Sequence, residues 1–329
     1  MTPRIDPTDA RLLQEYQRDF PLVPAPFAAI AADLGLAEAE VLDRLRRLQG
    51  EGKIARVGAT VRPNTAGVST LAALAVPETR LDEVAAIVSA EPGVNHAYHR
   101  ENRWNLWFVA TAANRIDLAT TLDRIRRRSG LGLLDLPLVR AFNIDLGFCL
   151  DGGRHSMGRA KAPDLSALTE GDRPLLHALS QGLTLDPAPF AALGRDLDLR
   201  ETQVMIRIAT LLRAGILTRL GVIVRHRPLG WSSNAMVAFD LPDSLIETAG
   251  LALARHPGVT LCYQRRTVMG LWPYGLFCMI HARSRSEAQG ILDGVRALPS
   301  LRGAPHQVMF SLRCFKQTGA QLTRQEDAA

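Results

Sequence analysis

The chain contains two copies of one unit. The hexapeptide PAPFAA occurs at residues 24–29 and again at residues 187–192. When residues 11–67 are laid on residues 174–230 without a gap, 22 of the 57 positions are identical. A repeat of this kind constrains the fold more than any local motif, because both copies must adopt the same architecture. We therefore expect a tandem duplication.

The repeat continues into the second part of each copy, with one difference in length. WNLWF at residues 104–108 corresponds to YGLFC at residues 274–278, and five additional residues precede the second motif. The two copies should therefore share their strands and helices and differ in one loop.

The first part of each copy has the pattern of a winged helix-turn-helix. Residues 8–19 show helical periodicity, and a proline-marked turn follows. A second helical run begins at Ala37 and ends near Gly52. The next segment, KIARVGATVR, alternates as a strand pair or wing. Helix, short turn, helix and wing together predict this motif.

The second part of each copy predicts a ferredoxin-like βαββαβ domain. In the first copy we expect the following elements: strands 70–77, 94–100, 104–111 and 133–147, with helices 80–90 and 114–128. In the second copy we expect strands near 234–241, 259–266, 274–282 and 306–315. The predicted fold class is α+β.

These patterns divide the chain into five segments, separated where the periodicity changes. They are a helix-turn-helix domain at 1–65, a ferredoxin-like domain at 66–150, a linker at 151–170, a second helix-turn-helix domain at 171–228 and a second ferredoxin-like domain at 229–329. The linker contains neither aromatic residues nor periodicity.

The composition is that of a globular protein, with 47% apolar and 22% charged residues among 329. No apolar run approaches the roughly 18 residues of a membrane span, and a secretory signal is absent, so we expect a cytosolic protein without a membrane partner. The cysteines (Cys149, Cys262, Cys278 and Cys314) show no metal-ligand spacing and are expected to be buried thiols. The net charge of +6 comes mainly from arginine, whose guanidinium binds carboxylate and phosphate bidentately.

The run FAAIAADLGLAEAEVLDRLRRLQGEGKI, followed by the βαββαβ pattern, resembles the Lrp/AsnC family of transcription regulators. The resemblance covers both copies and implies the fold, while leaving DNA binding open as one alternative. The first copy could read DNA through Arg44, Arg46 and Arg47. The equivalent helix of the second copy is apolar around much of its circumference, which is typical of packing against protein: Val204, Met205, Ile206, Ile208, Leu211 and Leu212. We therefore expect no specific DNA binding.

A sharper resemblance lies in the strands. YHRENRWNLWF at 98–108 and CYQRRTVMGLWPYGLFCMIH at 262–281 are similar to the signature stretches of siroheme decarboxylases. That family implies removal of two acetate carboxyls from siroheme to give 12,18-didecarboxysiroheme, for heme d1 or alternative heme biosynthesis. It implies siroheme and decarboxylated tetrapyrroles as partners and no separate cofactor, because the substrate carries its own iron. It also implies an internal pseudo-dimer, with a homodimer or related partner subunits left open.

The residues of these stretches suit a flat macrocycle that carries carboxylates. Aromatic and polar side chains would form the walls and arginines the rim. The candidate substrate-binding residues are Arg62, Arg100, Arg103, Asn105, Trp107, Arg225, His226, Gln264, Arg265, Arg266, Trp272 and Tyr274.

For catalysis, loss of a carboxylate requires a proton for the new methyl carbon, and histidine exchanges protons near neutral pH. We predict His99 as the donor, with Tyr98 and Tyr263 as alternatives. Gln264 replaces His99 in the second copy, so either one site performs both decarboxylations or the two sites are unequal. A tetrapyrrole sensor without catalysis is a third alternative.

Overall fold

The computed structural model describes residues 5–144 and 162–322. Most of the predicted linker and Cys149 lie outside these residues. The chain forms two compact units, each assembled from both copies. Among the described residues, the helix-turn-helix unit contains 5–67, 162–230 and 318–322, and the barrel unit contains 68–144 and 231–317.

The two copies have the same order of elements, which confirms the predicted duplication. The first copy contains α1 (Pro7–Glu15), α2 (Pro26–Leu34), α3 (Glu38–Gly50), β1 (Ile54–Val61), β2 (Val68–Leu74), α4 (Leu81–Ala90), β3 (Val94–Arg100), β4 (Leu106–Ala112), α5 (Arg115–Ser129) and β5 (Leu133–Ile144). The second contains α6 (Asp172–Gln181), α7 (Pro189–Asp196), α8 (Glu201–Arg213), β6 (Leu217–Val224), β7 (Ser233–Phe239), α9 (Asp243–Arg255), β8 (Val259–Arg265), β9 (Leu276–Ala282), α10 (Arg285–Arg296) and β10 (His306–Gln317).

The segment predicted as a strand pair or wing is one strand in each copy. β1 pairs with β6 of the other copy in an antiparallel two-stranded ribbon, with Gly58 opposite Gly221. A side chain at Gly58 would lie 2.6 Å from the carbonyl oxygen of Leu179, at the end of α6. Gly221 is covered in the same way by the end of α1. The two glycines therefore let the helices pack directly on the ribbon.

The βαββαβ parts close into one eight-stranded barrel, in the order β10-β3-β4-β2-β5-β8-β9-β7. The last strand of each copy joins the two sheets at their edges. The first half of β5 pairs with β2 of its own copy, and from Leu138 onward β5 pairs with β8 of the other copy. The first half of β10 likewise pairs with β7 of its own copy, and from Ser311 onward β10 pairs with β3 of the other copy. No edge strand remains in this sheet.

Alternating residues of the strands pack on opposite faces of the barrel wall. Leu106 and Phe108 belong to a cluster under the helices of the first copy, and Leu276 and Cys278 to the equivalent cluster of the second. Trp107, between the first two, faces the barrel interior. Trp107 and Leu106 thus face opposite sides of one strand.

Three further features bear on the predictions. Cys262 and Cys278 are buried as expected, but Cys314, which lies opposite Tyr98 on β10, is exposed. Residues 318–322 pack with the helix-turn-helix unit, where Ser180 Oγ donates to the Ala320 carbonyl oxygen at 2.8 Å, rather than with the second ferredoxin-like part. Within the described residues, no helix is long and apolar enough to cross a membrane.

Candidate active site

Aromatic side chains fill the middle of the barrel interior. Trp107 and Trp272 meet edge to face, with ring centroids 5.2 Å apart, and Trp272 meets Tyr274 at 4.9 Å. Phe277 stacks on Tyr263 at 5.7 Å. Edge-to-face and offset contacts of this kind stabilise aromatic clusters beyond their apolar burial. The two sequence motifs therefore meet inside one barrel.

Trp272 has no counterpart in the first copy, because it lies in the five-residue insertion. The insertion forms a small hairpin in which Val268 and Trp272 exchange two backbone hydrogen bonds of 2.8 Å. Gly270 permits the turn through its positive φ of 72°. Met269 at the tip is almost fully exposed, whereas Trp272 is buried. Its Nε1 is buried without a hydrogen-bond partner.

The side chains of Arg100 and Arg265 each bind a main-chain carbonyl oxygen of the other copy. Arg100 Nη1 donates to the carbonyl oxygen of Met309 at 3.3 Å, and Arg265 Nη1 to that of Leu136 at 2.8 Å. Each guanidinium also lies over the ring of the tyrosine two residues before it in sequence, at 5.4 Å for Tyr98 and 4.6 Å for Tyr263. Burial lowers the pKa of Arg265, and Tyr263 and Asp135 partly oppose this shift.

Four inward-facing residues lie side by side on neighbouring strands of the first copy, and we call them the first row: His96, Val109, Leu71 and Leu136. His96 lies opposite Val109, and Val109 lies opposite Leu71. Leu71 lies opposite Leu136, whose carbonyl oxygen binds Arg265. His96 and Arg265 are partly exposed. The first row therefore has an imidazole at one end and a guanidinium at the other.

The second row is the equivalent of the first by the repeat. Leu261 lies opposite Met279, and Met279 lies opposite Met236. Met236 lies opposite Met309, whose carbonyl oxygen binds Arg100. The second row keeps the arginine, but a leucine replaces the histidine and methionines replace the other three residues.

Two histidines that the sequence analysis missed face inward. His96 shares a face of β3 with Tyr98, and their rings stack with centroids 6.4 Å apart. His281 lies two residues beyond Met279 on β9, and its Nδ1 is 2.7 Å from the hydroxyl of Thr260. Strand alternation is the signal that would have found them. His96 lies two residues before Tyr98, the partner of Trp107, and His281 lies four residues after Phe277.

His99 and its counterpart Gln264 face away from the barrel interior. His99 lies opposite Leu106, and Gln264 lies opposite Leu276. Both leucines belong to clusters under the helices. The sequence analysis grouped His99 with Tyr98 and Arg100, but the structure places it on the other side of the wall.

The remaining candidates from the strands have different surroundings. The Asn105 amide bonds both backbone groups of Val76, at 2.8 and 2.9 Å, and so extends the pairing of β2 with β4. Arg103 and Arg266 are exposed on the loops after β3 and β8. Tyr274 is partly buried, and its hydroxyl accepts a hydrogen bond of 2.9 Å from Gln307.

Arg62, Arg225 and His226 belong to the other unit. Arg62 Nε donates to the carbonyl oxygen of Gly215 at 2.7 Å. Arg225 Nε is buried without a hydrogen-bond partner. Burial lowers the pKa of His226 to about 4, and the charge of Arg219 adds to this shift. The three residues thus belong to a different unit from the strand motifs.

The arginines considered for DNA reading are held by carboxylates of their own unit. Arg44 and Arg47 both bind Asp9, at 3.0 and 2.6 Å, and Arg46 binds Asp43 at 2.8 Å. In α8 the expected packing is only partial: Val204, Ile208 and Leu211 are buried, but Ile206 is 63% exposed. Neither helix presents a row of free basic side chains.

Comparison with known proteins adds an independent line of argument. The AsnC-like ligand binding domain family matches residues 65–143 and 228–316, and the siroheme decarboxylase NirDL-like HTH domain family matches residues 9–54 and 172–217. A siroheme decarboxylase NirDL subunit of Paracoccus denitrificans is 59% identical over 318 residues, which cover 97% of this chain and 98% of the relative. A siroheme decarboxylase NirD subunit of Pseudomonas aeruginosa is 49% identical over 150 residues, which cover 46% of this chain and all of that subunit.

Among solved structures, the siroheme decarboxylase NirDL in co-complex with an iron-uroporphyrin III analogue has a TM-score of 0.68 and 25% identity. The alignment covers 95% of this chain and 92% of the other. The family matches, the near-complete relative and the shared fold agree with one another, and the chain therefore belongs to the siroheme decarboxylase NirDL family.

Proposed function

We propose that this protein removes acetate carboxyl groups from siroheme to give 12,18-didecarboxysiroheme, in heme d1 synthesis. The observation that carries the proposal is the 59% identity to a siroheme decarboxylase over 97% of the chain. The barrel supports it with the chemistry such a substrate needs: an aromatic cluster, inward-facing arginines and an imidazole on either copy. The iron-uroporphyrin analogue bound by a related structure is also a carboxylate-bearing iron macrocycle.

The reaction exchanges a carboxylate for a proton. The bond between the acetate methylene and its carboxylate carbon breaks, carbon dioxide leaves, and the electron pair passes into the conjugated ring. A proton then adds to the methylene carbon to give a methyl group. The protein has to hold the macrocycle, exclude water around the departing carboxylate and deliver the proton.

We assign binding of the retained carboxylates to Arg265 and Arg100. Their guanidiniums are packed on tyrosine rings and each donates to a carbonyl oxygen, so their positions are set before substrate arrives. A fixed planar guanidinium suits bidentate binding of carboxylate. Tyr274, which is partly exposed, would contact the flat face of the macrocycle, and Trp272 would support the tyrosine ring from the packed barrel centre. Because Trp107 and Trp272 are fully packed in the barrel centre, we place the macrocycle at the rows rather than between the two tryptophans.

We propose His96 as the proton donor of the first row, in place of His99. His96 stacks on Tyr98 and lies on the inner face of the wall, whereas His99 lies on the face under the helices. His281, held by Thr260, would serve the second row. Tyr98 and Tyr263 remain candidates for orienting the macrocycle.

We further propose that one chain suffices for activity, without a partner subunit. The barrel already contains both copies, and each last strand completes the sheet of the other copy. Relatives such as the NirD subunit match only half of this chain. The fused chain would therefore supply within one molecule what separate subunits supply by association.

The test is anaerobic incubation of the purified chain with siroheme, followed by mass spectrometry. The expected result is loss of one and then two carbon dioxide units. Siroheme that is bound, as seen in its absorption band, but never loses mass would favour the sensor alternative. Requirement for an added subunit would contradict the single-chain proposal.

A further inference from the structure

The last strand of each copy carries a phenylalanine that packs under the helices of the other copy. Phe142 on β5 and Phe315 on β10 are equivalent in the repeat, and each lies at a shift in the strand register. A bulge of this kind turns one side chain out of the regular alternation. Phe142 packs against the core cluster of the second copy, and Phe315 against that of the first. The two halves therefore exchange aromatic side chains as well as strands.

Ion pairs beside the two phenylalanines follow the same symmetry. Each ring is covered by the guanidinium of the arginine two residues before it, at 4.5 Å in both copies. Arg140 forms an ion pair with Glu247 of α9, and Arg313 forms one with Asp82 of α4. Because both halves have an arginine and an acidic residue at these positions, two identical halves could form the same ion pairs. These exposed ion pairs therefore do not determine which halves associate.

The helix residue that Phe142 contacts differs between the copies. The buried faces of α4 and α9 have the same spacing, which aligns Ala85 with Gly250. A Cβ atom at Gly250 would lie 2.3–2.5 Å from three atoms at the tip of the Phe142 ring. Such distances are far shorter than the roughly 3.5–4.0 Å of a favourable carbon–carbon contact. Phe142 in this position therefore requires glycine on the helix that covers it.

A second difference lies at the end of β10. The Nζ of Lys316 donates to the carbonyl oxygens of Ser89 and Glu91, at 2.8 and 3.0 Å, where α4 ends. A cation is favourable at the C-terminus of a helix. Burial lowers the pKa of Lys316, and the charge of Glu91 opposes this shift. In the second copy His256 stands at the position of Glu91, so Lys316 is matched to a first half.

We propose that residues 138–144 of β5 form an interaction surface that accepts the second half of this protein and excludes another first half, with Phe142 as the selecting residue. In a pair of first halves, Phe142 would face Ala85, and the alanine Cβ would collide with the ring. A clash with the wrong partner is a general source of binding specificity. The inference goes beyond the proposed decarboxylase function, because it concerns which halves associate and is tested without siroheme.

The first experiment is thermal unfolding of the full chain. Gly250→Ala should lower Tm by roughly 5 °C through the collision with Phe142, although alanine is ordinarily the better helix former. In the double variant with Phe142→Leu, the shorter side chain leaves room for the Cβ, so Gly250→Ala should cost little. Gly290→Ala on α10 is the matched control, because nothing lies within 4 Å of its Cβ position, and it should not lower Tm. If Gly250→Ala behaves like the control, or loses the same Tm with and without Phe142→Leu, the proposal is overturned.

The second experiment measures the choice of partner. A protease recognition sequence inserted within residues 151–160 allows the purified, folded full chain to be cleaved between its halves, after which the halves are mixed in urea, diluted and weighed by native mass spectrometry. We expect complexes of one first half with one second half, and none of two first halves. Ala85→Gly supplies the glycine that Phe142 needs, so complexes of two first halves should then appear. Such complexes from the unaltered sequence, or their absence with Ala85→Gly, would overturn the proposal.

Discussion

His96 and His99 lie three residues apart on β3, yet they face opposite sides of the barrel wall. His96 lies opposite Val109, whose side chain packs inside, and His99 lies opposite Leu106, which packs under the helices. His96→Ala should therefore bind siroheme but decarboxylate about 10²–10⁴-fold more slowly, as expected for loss of a positioned proton donor. Single-turnover rates at saturating siroheme measure this.

His99→Ala is the matched control for that experiment, since it removes the same side chain from the same strand. It should keep a rate close to that of the unaltered chain. If His99→Ala decarboxylated slowly while His96→Ala kept the rate of the unaltered chain, the proton donor would be His99 on the outer face.

Substitution of Arg265 should affect binding rather than chemistry. Arg265→Gln removes a charge-assisted contact to carboxylate worth about 1.5–3 kcal/mol, so affinity for siroheme should fall about 10–150-fold. Absorbance titration measures the change. Arg103→Gln, at an exposed loop residue, should alter affinity much less; equal losses in the two variants would mean that buried position is unimportant.

Trp272 should contribute strongly to the stability of the barrel. Trp272→Ala would leave a cavity beside Trp107 and Phe277 and lower the free energy of unfolding by about 3–5 kcal/mol. Trp104→Ala, at a partly exposed position, should cost clearly less. Urea titration monitored by circular dichroism compares them, and equal costs would show that the insertion hairpin does not anchor the interior.

The partly buried His226 should make stability fall in acid. Its pKa is about 4 in the folded chain and 6.5 in the unfolded chain, so between these values only the unfolded state takes up the proton. Stability should therefore be complete above pH 6.5 and decrease as pH falls to 4, by about 3 kcal/mol. His177, whose pKa is also lowered by burial, acts in the same direction.

His226→Gln should reduce that loss without abolishing it. The measurement is the free energy of unfolding at pH 7, 6, 5 and 4 for both chains. Identical pH dependence would show that His226 is accessible to protons in the folded state.

Gly221 should tolerate no side chain, because the carbonyl oxygens of Tyr16 and Gln17 lie where a Cβ would be. Gly221→Ala should separate α1 from the ribbon and lower Tm. Gly50→Ala is the control: nothing lies within 4 Å of its Cβ position, and alanine favours the helix by up to about 1 kcal/mol. A Tm that rises in both variants would contradict the close packing.

The repeat and the periodicities were sufficient to predict both helix-turn-helix motifs and the βαββαβ order. They could not predict that β1 pairs with β6, because a strand's partner in another copy leaves no local pattern. The closed barrel was missed for the same reason: β5 and β10 read as single strands, and their change of partner near Leu138 and Ser311 depends on tertiary contacts.

Residue type was sufficient to select Trp107, Trp272 and both tyrosine–arginine pairs, which lie together in the barrel, and their roles stay predictions. The direction of each side chain was the harder part. Asn105 shares its alternation with Trp107, yet its amide completes the backbone pairing at Val76. His96 was missed because the short motif beginning at Tyr98 excluded it, although it lies only two residues upstream on the same face.

The exchange of last strands between the copies ties the two halves of the polypeptide together by main-chain hydrogen bonds. Such bonds do not depend on which side chains are present, so the halves can drift apart in sequence while staying in register. The presence of His96 in one copy and Leu261 at the equivalent position of the other is an example of that freedom. Because both halves are on one chain, their association does not depend on the protein concentration. A half that has changed in sequence therefore stays paired with the other half.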